Sequence, residues 1–278
     1  PFGNYGVPEI PDERCPLVLP VEDLSEIDEF KQKFKLSRSD ECGLSIVVPW
    51  VDQGITIYTV LKAFITNFFH AILAGDLIVD VVTPLSSRSL NSENFLEVAR
   101  SFKSDPEIKN LETIFDLTKW SLKQKESDFQ VIKIKSKPPE FPGDAVSVED
   151  LDKIIQKLSN KTHVAFRIYL NITRKKTEKK PASENKTYFD IFITKVDGES
   201  SYKPIFIREG MSINQISNIS SLRGYRAILV ADHDSITSFL GDSENPAHVN
   251  WLEKTLGFKE KYDYAPSILR LVKHSPSY

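Results

Sequence analysis

Val164-Ala165-Phe166-Arg167-Ile168-Tyr169-Leu170-Asn171-Ile172 is the stretch on which the fold turns. Val164, Phe166, Ile168, Leu170 and Ile172 alternate with Ala165, Arg167, Tyr169 and Asn171, a period of two that puts the aliphatic and aromatic set on one face of a strand. One buried face and one more polar face is the pattern of an antiparallel sheet packed on one side. A polar loop over 174–186 follows, then strands at 188–196 and 203–208, joined by connections short enough for antiparallel neighbours. The apolar run 225–231 reads as a further strand, and short helices ended by Gly241 and Gly257 come after it.

Working upstream, residues 137–146 hold three prolines and a glycine, the composition of a domain boundary or long connection. The chain is therefore expected to divide into an α/β segment, residues 1–136, and an α+β domain, residues 147–278. Ser147 and Asp150 have capping-box spacing ahead of Leu151, Ile154, Ile155 and Leu158, which share one helical face. Before the boundary, Val60/Leu61, Phe64/Ile65, Phe68/Phe69 and Ile72/Leu73 recur every four residues, and Gly75 marks the stop. That helix approaches the length of a membrane span, yet Lys62, Thr66, Asn67 and His70 interrupt it, so a core helix and no membrane partner are expected. Strands are expected over 77–82 and 129–134, and a helix through Phe95, Leu96, Ala99 and Phe102. Asp105-Pro106 opens another helix, aspartate as N-cap and proline at the first helical position. Nearer the start, a helix is expected over 24–34 and a buried strand over 44–50. The class is α+β: mixed sheets with packed helices, and an antiparallel sheet in the second half.

Composition bounds function. With 278 residues, 40% hydrophobic and 27% charged, the chain can bury a substantial core without disulfide or metal staples. A formal net charge of −3 gives no global attraction to nucleic acid or anionic lipid, so nucleic-acid binding requires a local basic patch. The 11 glycines are spaced so that G-x-G-x-x-G, G-x-S-x-G and the G-x-x-x-x-G-K-[ST] phosphate loop are all absent. The five histidines include no H-E-x-x-H pair. Two cysteines, Cys15 and Cys42, read as reduced thiols and place the chain in the cytoplasm. Met211 is the only methionine, so the chain is expected to be part of a longer or processed protein.

Two constellations carry chemistry. Asp232, His233 and Asp234, with Asp242 and then Glu244 and His248, follow directly on a strong strand; carboxylates and imidazoles there can bind a divalent cation and activate water. The competing assignment makes Asp234 the cap of a helix starting at Ser235, and Asn245-Pro246 the opening of another helix, with Asp242 and Glu244 near its positive end. The basic stretch Arg174-Lys175-Lys176 through Lys179-Lys180 can contact phosphates, but Glu178 and Glu184 dilute it and no aromatic residue interleaves it, so a solvated loop is the default. His70 reads as a packed or surface histidine. Asp52-Gln53-Gly54 begins like the D-x-G-x-G of an ATP site but has Thr56 at the second glycine.

Several stretches together resemble the gyrase, heat-shock chaperone, histidine kinase and MutL (GHKL) superfamily, as represented by large bacterial ATP-binding proteins. Phe34 to Val51, with Gly43-Leu44 leading into Ser45-Ile46-Val47-Val48, is similar to the segment after the ATP lid and the last strand of the nucleotide-binding fold. Asn67-Phe68-Phe69-His70-Ala71-Ile72-Leu73-Ala74-Gly75-Asp76-Leu77 resembles the helix, glycine and strand that follow it. Arg208-Glu209-Gly210-Met211, Leu222-Arg223-Gly224-Tyr225-Arg226-Ala227 and Phe239-Leu240-Gly241-Asp242-Ser243-Glu244-Asn245-Pro246-Ala247-His248 resemble later blocks.

The superfamily holds ATP with an E-x-x-x-N helix, a D-x-G-x-G turn and a glycine-rich lid, and none of these occurs in order before Gly43. The resemblance thus implies the region downstream of the ATP site, with no catalytic or cofactor-binding residue here; ATP and Mg are implied only for the parent protein. The expected function is a non-catalytic transducer or interaction region that relays nucleotide state to a protein partner or a second copy. One alternative is a metal-dependent phosphoesterase or nuclease using Asp232, His233, Asp234 and Asp242. The other is a nucleic-acid-binding module acting through the 174–186 loop.

Overall fold

The protein is represented by a computed structural model that describes residues 7–8, 18–19, 21–36, 46–48, 52–83, 86–102, 104–143, 147–160, 163–176 and 181–278. It divides into two compact units, residues 1–54 and 55–278. In the first, β1 (Val7–Pro8) pairs antiparallel with β2 (Val18–Leu19). Helix α1 (Leu24–Lys33) starts at Asp23, whose carboxylate accepts from the N–H groups of Ser25 (2.8 Å) and Glu26 (3.0 Å). Glu26 in its first turn and Lys31 and Lys33 in its last complement the helix dipole, and α1 buries no residue. The strand expected over 44–50 is not formed at the part of it that is described: residues 46–48 have no regular structure, and Ile46 and Val48 are exposed. No described strand lies alongside to pair them. The rest of that stretch, and Cys15 and Cys42, lie outside the described residues.

In the second unit, α2 (Ile57–Asn67) opens on a reciprocal cap. The N–H of Thr59 donates to Thr56 Oγ1 (3.2 Å) and the N–H of Thr56 to Thr59 Oγ1 (2.8 Å). The single helix expected through Gly75 breaks at Phe68, and α3 (Phe69–Ala74) continues it. The cause lies just before the break. Thr66 Oγ1 donates back to the Lys62 carbonyl and Asn67 Nδ2 to the Ala63 carbonyl, offering the chain an alternative to the regular ladder. Gly75 then ends α3 at φ 87°. A hairpin of β3 (Val79–Val82) and β4 (Ser87–Leu90) leads to α4 (Phe95–Ser101) and α5 (Pro106–Ser121), the latter capped by Asp105 with proline in its first turn. No described helix is long and apolar enough to cross a membrane.

The remaining elements are β5 (Phe129–Lys133), α6 (Val148–Ser159, capped by Ser147), β6 (Val164–Arg174) and β7 (Ser183–Lys195). They continue with β8 (Ser201–Tyr202), β9 (Ile205–Arg208), β10 (Met211–Ser212), β11 (Leu222–Arg223) and β12 (Tyr225–Ala231). The chain ends with α7 (Asp234–Asp242), α8 (Phe258–Lys261) and α9 (Ala265–His274). Gly241 lies inside α7, and Gly257 precedes α8 at φ 75° instead of ending a helix.

Six strands form one sheet in the order β10-β9-β12-β7-β6-β5. β6, β7 and β12 are antiparallel neighbours, whereas β9 runs parallel to β12 and β5 parallel to β6. The protein is thus α+β with the expected antiparallel sheet in its second half. Residues 137–146 connect β5 to α6 within this unit, and the strands on either side of them are sheet neighbours.

Each sheet face has its own core. One gathers Ile65, Phe69, Phe95, Ile114 and Phe115 of the α2–α5 layer over Ala165, Phe192, Ile207 and Ile228. The other gathers Ile236, Phe239, Leu240, Ile268 and Leu269 of α7 and α9 over Ile168, Leu170, Phe189, Phe206 and Leu229. Each of the Ile, Leu and Phe side chains so buried is worth about 1.5–3 kcal/mol. The alternation in β6 accordingly buries Ile168, Leu170 and Ile172 as expected. Its opposite face changes along the strand: Ala165 is buried under helices, Arg167 and Tyr169 are half-buried, and Asn171 is exposed.

Candidate functional site

β9 returns as β10 through a two-residue turn, with Met211 opposite Arg208. Glu209 at φ 48° and Gly210 at φ 77° both take positive φ, as a type I′ hairpin turn requires. The turn meets α3 closely. The N–H of Ala71 donates to the Gly210 carbonyl (3.4 Å), and a Cβ on residue 210 would fall 2.7 Å from that of Ala71. Glycine is needed there for conformation and for space. Asp232, the residue after β12, receives the N–H groups of Glu209 and Gly210 on its carboxylate. Burial pushes its pKa up, the charges of Asp76 and Glu209 push the same way, and the N–H groups of the turn oppose them.

On the other side of the turn, Arg208 reaches the segment after α7. Its guanidinium is bidentate to Glu244, Nε to Oε1 at 2.5 Å and Nη2 to Oε2 at 3.0 Å, with Glu209 against Nη1. Glu244 is buried, and two further groups complete its shell. The Trp251 indole N–H donates to Oε1 (3.2 Å) and His248 Nδ1 donates to Oε2 (2.7 Å). Trp251 packs edge-on against Phe206, with 5.5 Å between ring centroids, while most of the His248 side chain is exposed.

The loop closes on itself. Asn245 Oδ1 accepts from the N–H groups of Val249 (3.0 Å) and Asn250 (3.2 Å), and His248 at φ 55° sends its N–H to the Asn245 carbonyl. Asn245 therefore caps a turn and not the helix expected from Asn245-Pro246. A carboxylate buried this deeply is tolerable because a guanidinium, an indole and an imidazole all point at it.

The residues expected to hold a metal are drawn to different partners. His233 Nδ1 lies 3.0 Å from Thr187 Oγ1 and its ring leans at a tilt against Tyr188, with 4.9 Å between ring centroids. Asp234 is the first residue of α7, where its charge suits the helix dipole; the capping position belongs to His233, which makes no side-chain cap bond. Asp242 ends the same helix, roughly 12 Å further along at about 1.5 Å per residue. There it accepts from the Tyr262 hydroxyl (2.5 Å) and pairs with Lys261. Burial, then the Asp242 carboxylate, raises the Tyr262 pKa. Among the described residues no group of three or more His, Cys, Asp and Glu stands close enough to hold a metal ion.

His70 is buried in α3 and its pKa is pushed down to about 4 by burial, with Asp76 opposing. Of the basic loop, Lys175 Nζ donates to the Lys259 carbonyl (2.9 Å) and Arg174 bridges to Tyr262, while residues 177–180 lie outside the described residues.

The roles of Arg208 and Trp251 were not legible in the sequence. Arg208 belongs with Glu244 only in space, since the two are 36 positions apart with four elements between them. The signal nearest to it was that Arg208-Glu209-Gly210-Met211 and the block from Phe239 to His248 each stood out separately; the structure brings Arg208 of the one against Glu244 of the other. Comparison of the chain with known protein families, curated proteins and solved structures finds no match.

Proposed function

We propose that this chain is a non-catalytic transducer and interaction region of a bacterial GHKL-type ATPase, passing nucleotide state to a protein partner or a second copy. ATP and Mg would be held by other parts of that parent protein, in a cytoplasmic setting. The observation that carries the reading is the turn at Glu209-Gly210. It is seated against α3 on one side with no room for a methyl group, and clamped on the other through Arg208 to Glu244, His248 and Trp251. The Asp232 carboxylate takes the backbone N–H groups of the turn.

A displacement of α2 and α3 has no slack to dissipate in, and reaches the loop bearing the exposed His248. Arg226 adds a second tie between the layers, since its Nη1 donates to Asn110 Oδ1 of α5 at 3.0 Å and its guanidinium lies over Tyr202 at 4.4 Å. Polar networks of this kind fix relative positions more than they add stability.

Hydrogen exchange on the wild type and Gly210→Ala tests the reading. A side chain at residue 210 should raise exchange together in α3 and in residues 243–252, which lie on opposite sides of the turn, and leave the β6–β7 ladder protected. Exchange that rises in one of the two regions alone contradicts a relay.

A further inference from the structure

We propose that the uncovered face of β5, β6 and β7 binds single-stranded nucleic acid without sequence preference, the backbone lying on lysines and the bases on tyrosine rings. The α2–α5 layer reaches Ala165 and Phe192 on this face; further along, β6 presents Arg167, Tyr169 and Asn171 and β7 presents Asp190, Tyr188 and Lys186, none of them buried. Register places Tyr169 opposite Tyr188 on one side and opposite Lys133 of β5 on the other, and sets Asn171 against Lys186. The two tyrosine rings are 5.5 Å apart. The Arg167 guanidinium sits between the rings of Phe129 (4.3 Å) and Tyr188 (4.1 Å), and Lys186 Nζ lies 4.8 Å from the centre of Tyr169. Asp190 holds Arg167 with two bonds of 2.8 Å, which fixes the cation between the rings.

Past the end of β5 this strip opens into a cleft of about 520 Å³ that carries Lys133, Lys135, Lys137 and Lys186. Its carboxylates are Glu184 and Asp263, and Glu184 is already met by Lys137 at 3.4 Å. Among the described residues no carboxylate pairs with Lys133, Lys135 or Lys186. A local positive excess therefore stands on a chain whose net charge is −3.

Lysines alone would accept any polyanion, and on most surfaces they are simply solvated. Here the strand pairing interleaves them with aromatic rings that the linear order of residues 174–186 lacks. Bases stack on such rings whatever their identity, and only an unpaired strand can present them. An acidic protein segment would use the lysines and leave the rings idle.

Fluorescence anisotropy of a labelled oligothymidylate of roughly 12 nucleotides, within the usual footprint of such surfaces, is the test. Binding at low salt is expected, with log K falling against log salt at a slope of about −2 to −3 for three to four neutralised phosphates. Tyr169→Ala should weaken it about tenfold or more, and Tyr169→Phe should keep it within about twofold. Replacing Lys133 and Lys186 together by alanine should flatten the salt slope by about one, a result that does not depend on the tyrosine variant folding. Several results would overturn the proposal: no binding at low salt, binding untouched by Tyr169→Ala, a loss shared by Tyr169→Phe, or displacement by inorganic polyphosphate or polyglutamate as effective as by unlabelled oligothymidylate.

Discussion

The two ends of the six-stranded sheet use the same residue types to opposite effect. At the β9–β10–β12 end, the charged groups are locked: Arg208 is spent on buried Glu244, and Asp232 on the backbone of the adjoining turn. At the β5–β6–β7 end, Arg167 and Asp190 pair with each other, while Lys133 and Lys186 lie open beside tyrosine rings. The difference is helical cover. Where helices lie on both faces, a charge survives only by finding several partners, so it fixes geometry. Where one face is bare, water solvates the charge and a ligand can displace that water. Position in the layers, more than residue identity, separates a structural charge from one available for binding.

The sharpest way to break this contrast is at Glu244. Glu244→Ala leaves the half-buried Arg208 with Glu209 alone and strips the acceptor from Trp251 and His248, and should cost about 3 kcal/mol in urea unfolding, whereas Lys186→Ala at the open end should stay within about 0.5 kcal/mol. Similar costs at both ends would abolish the distinction.

The pH dependence sharpens it next. His70 is buried with a pKa near 4, below its unfolded value of about 6.5, so the unfolded chain binds the extra proton first. Stability is then complete above about pH 6.5 and falls as the pH drops towards 4, by up to roughly 3 kcal/mol. His70→Leu should flatten this part of the profile; a wild-type-like decline in that variant would assign the effect to other groups.

Much of the fold was legible because it is local. The alternation in β6, the Asp105-Pro106 opening of α5 and the Ser147 cap of α6 each lie within a few residues, and the structure has all three. The break at Phe68 was half-visible: Thr66 and Asn67 were noted as polar interruptions, but their back-bonding to the helix was not read from them. The strand expected over 44–50 rested on apolar run length alone, and Ile46 and Val48 are exposed. The candidate site was harder still. Its members come from β9 and its turn, the residue after β12 and the loop after α7, and nothing in their spacing says that Arg208 meets Glu244. The tyrosine–lysine strip is likewise a product of strand register, which linear order hides.

A double-mutant cycle between α3 and the Glu244 loop, using Ala71→Gly, Glu244→Gln and the pair, tests most directly whether the turn carries strain from one to the other. Relay through Gly210 and Arg208 predicts a coupling of about 0.5–1 kcal/mol or more between residues that do not touch. Additivity within about 0.3 kcal/mol would mean that the two regions move independently.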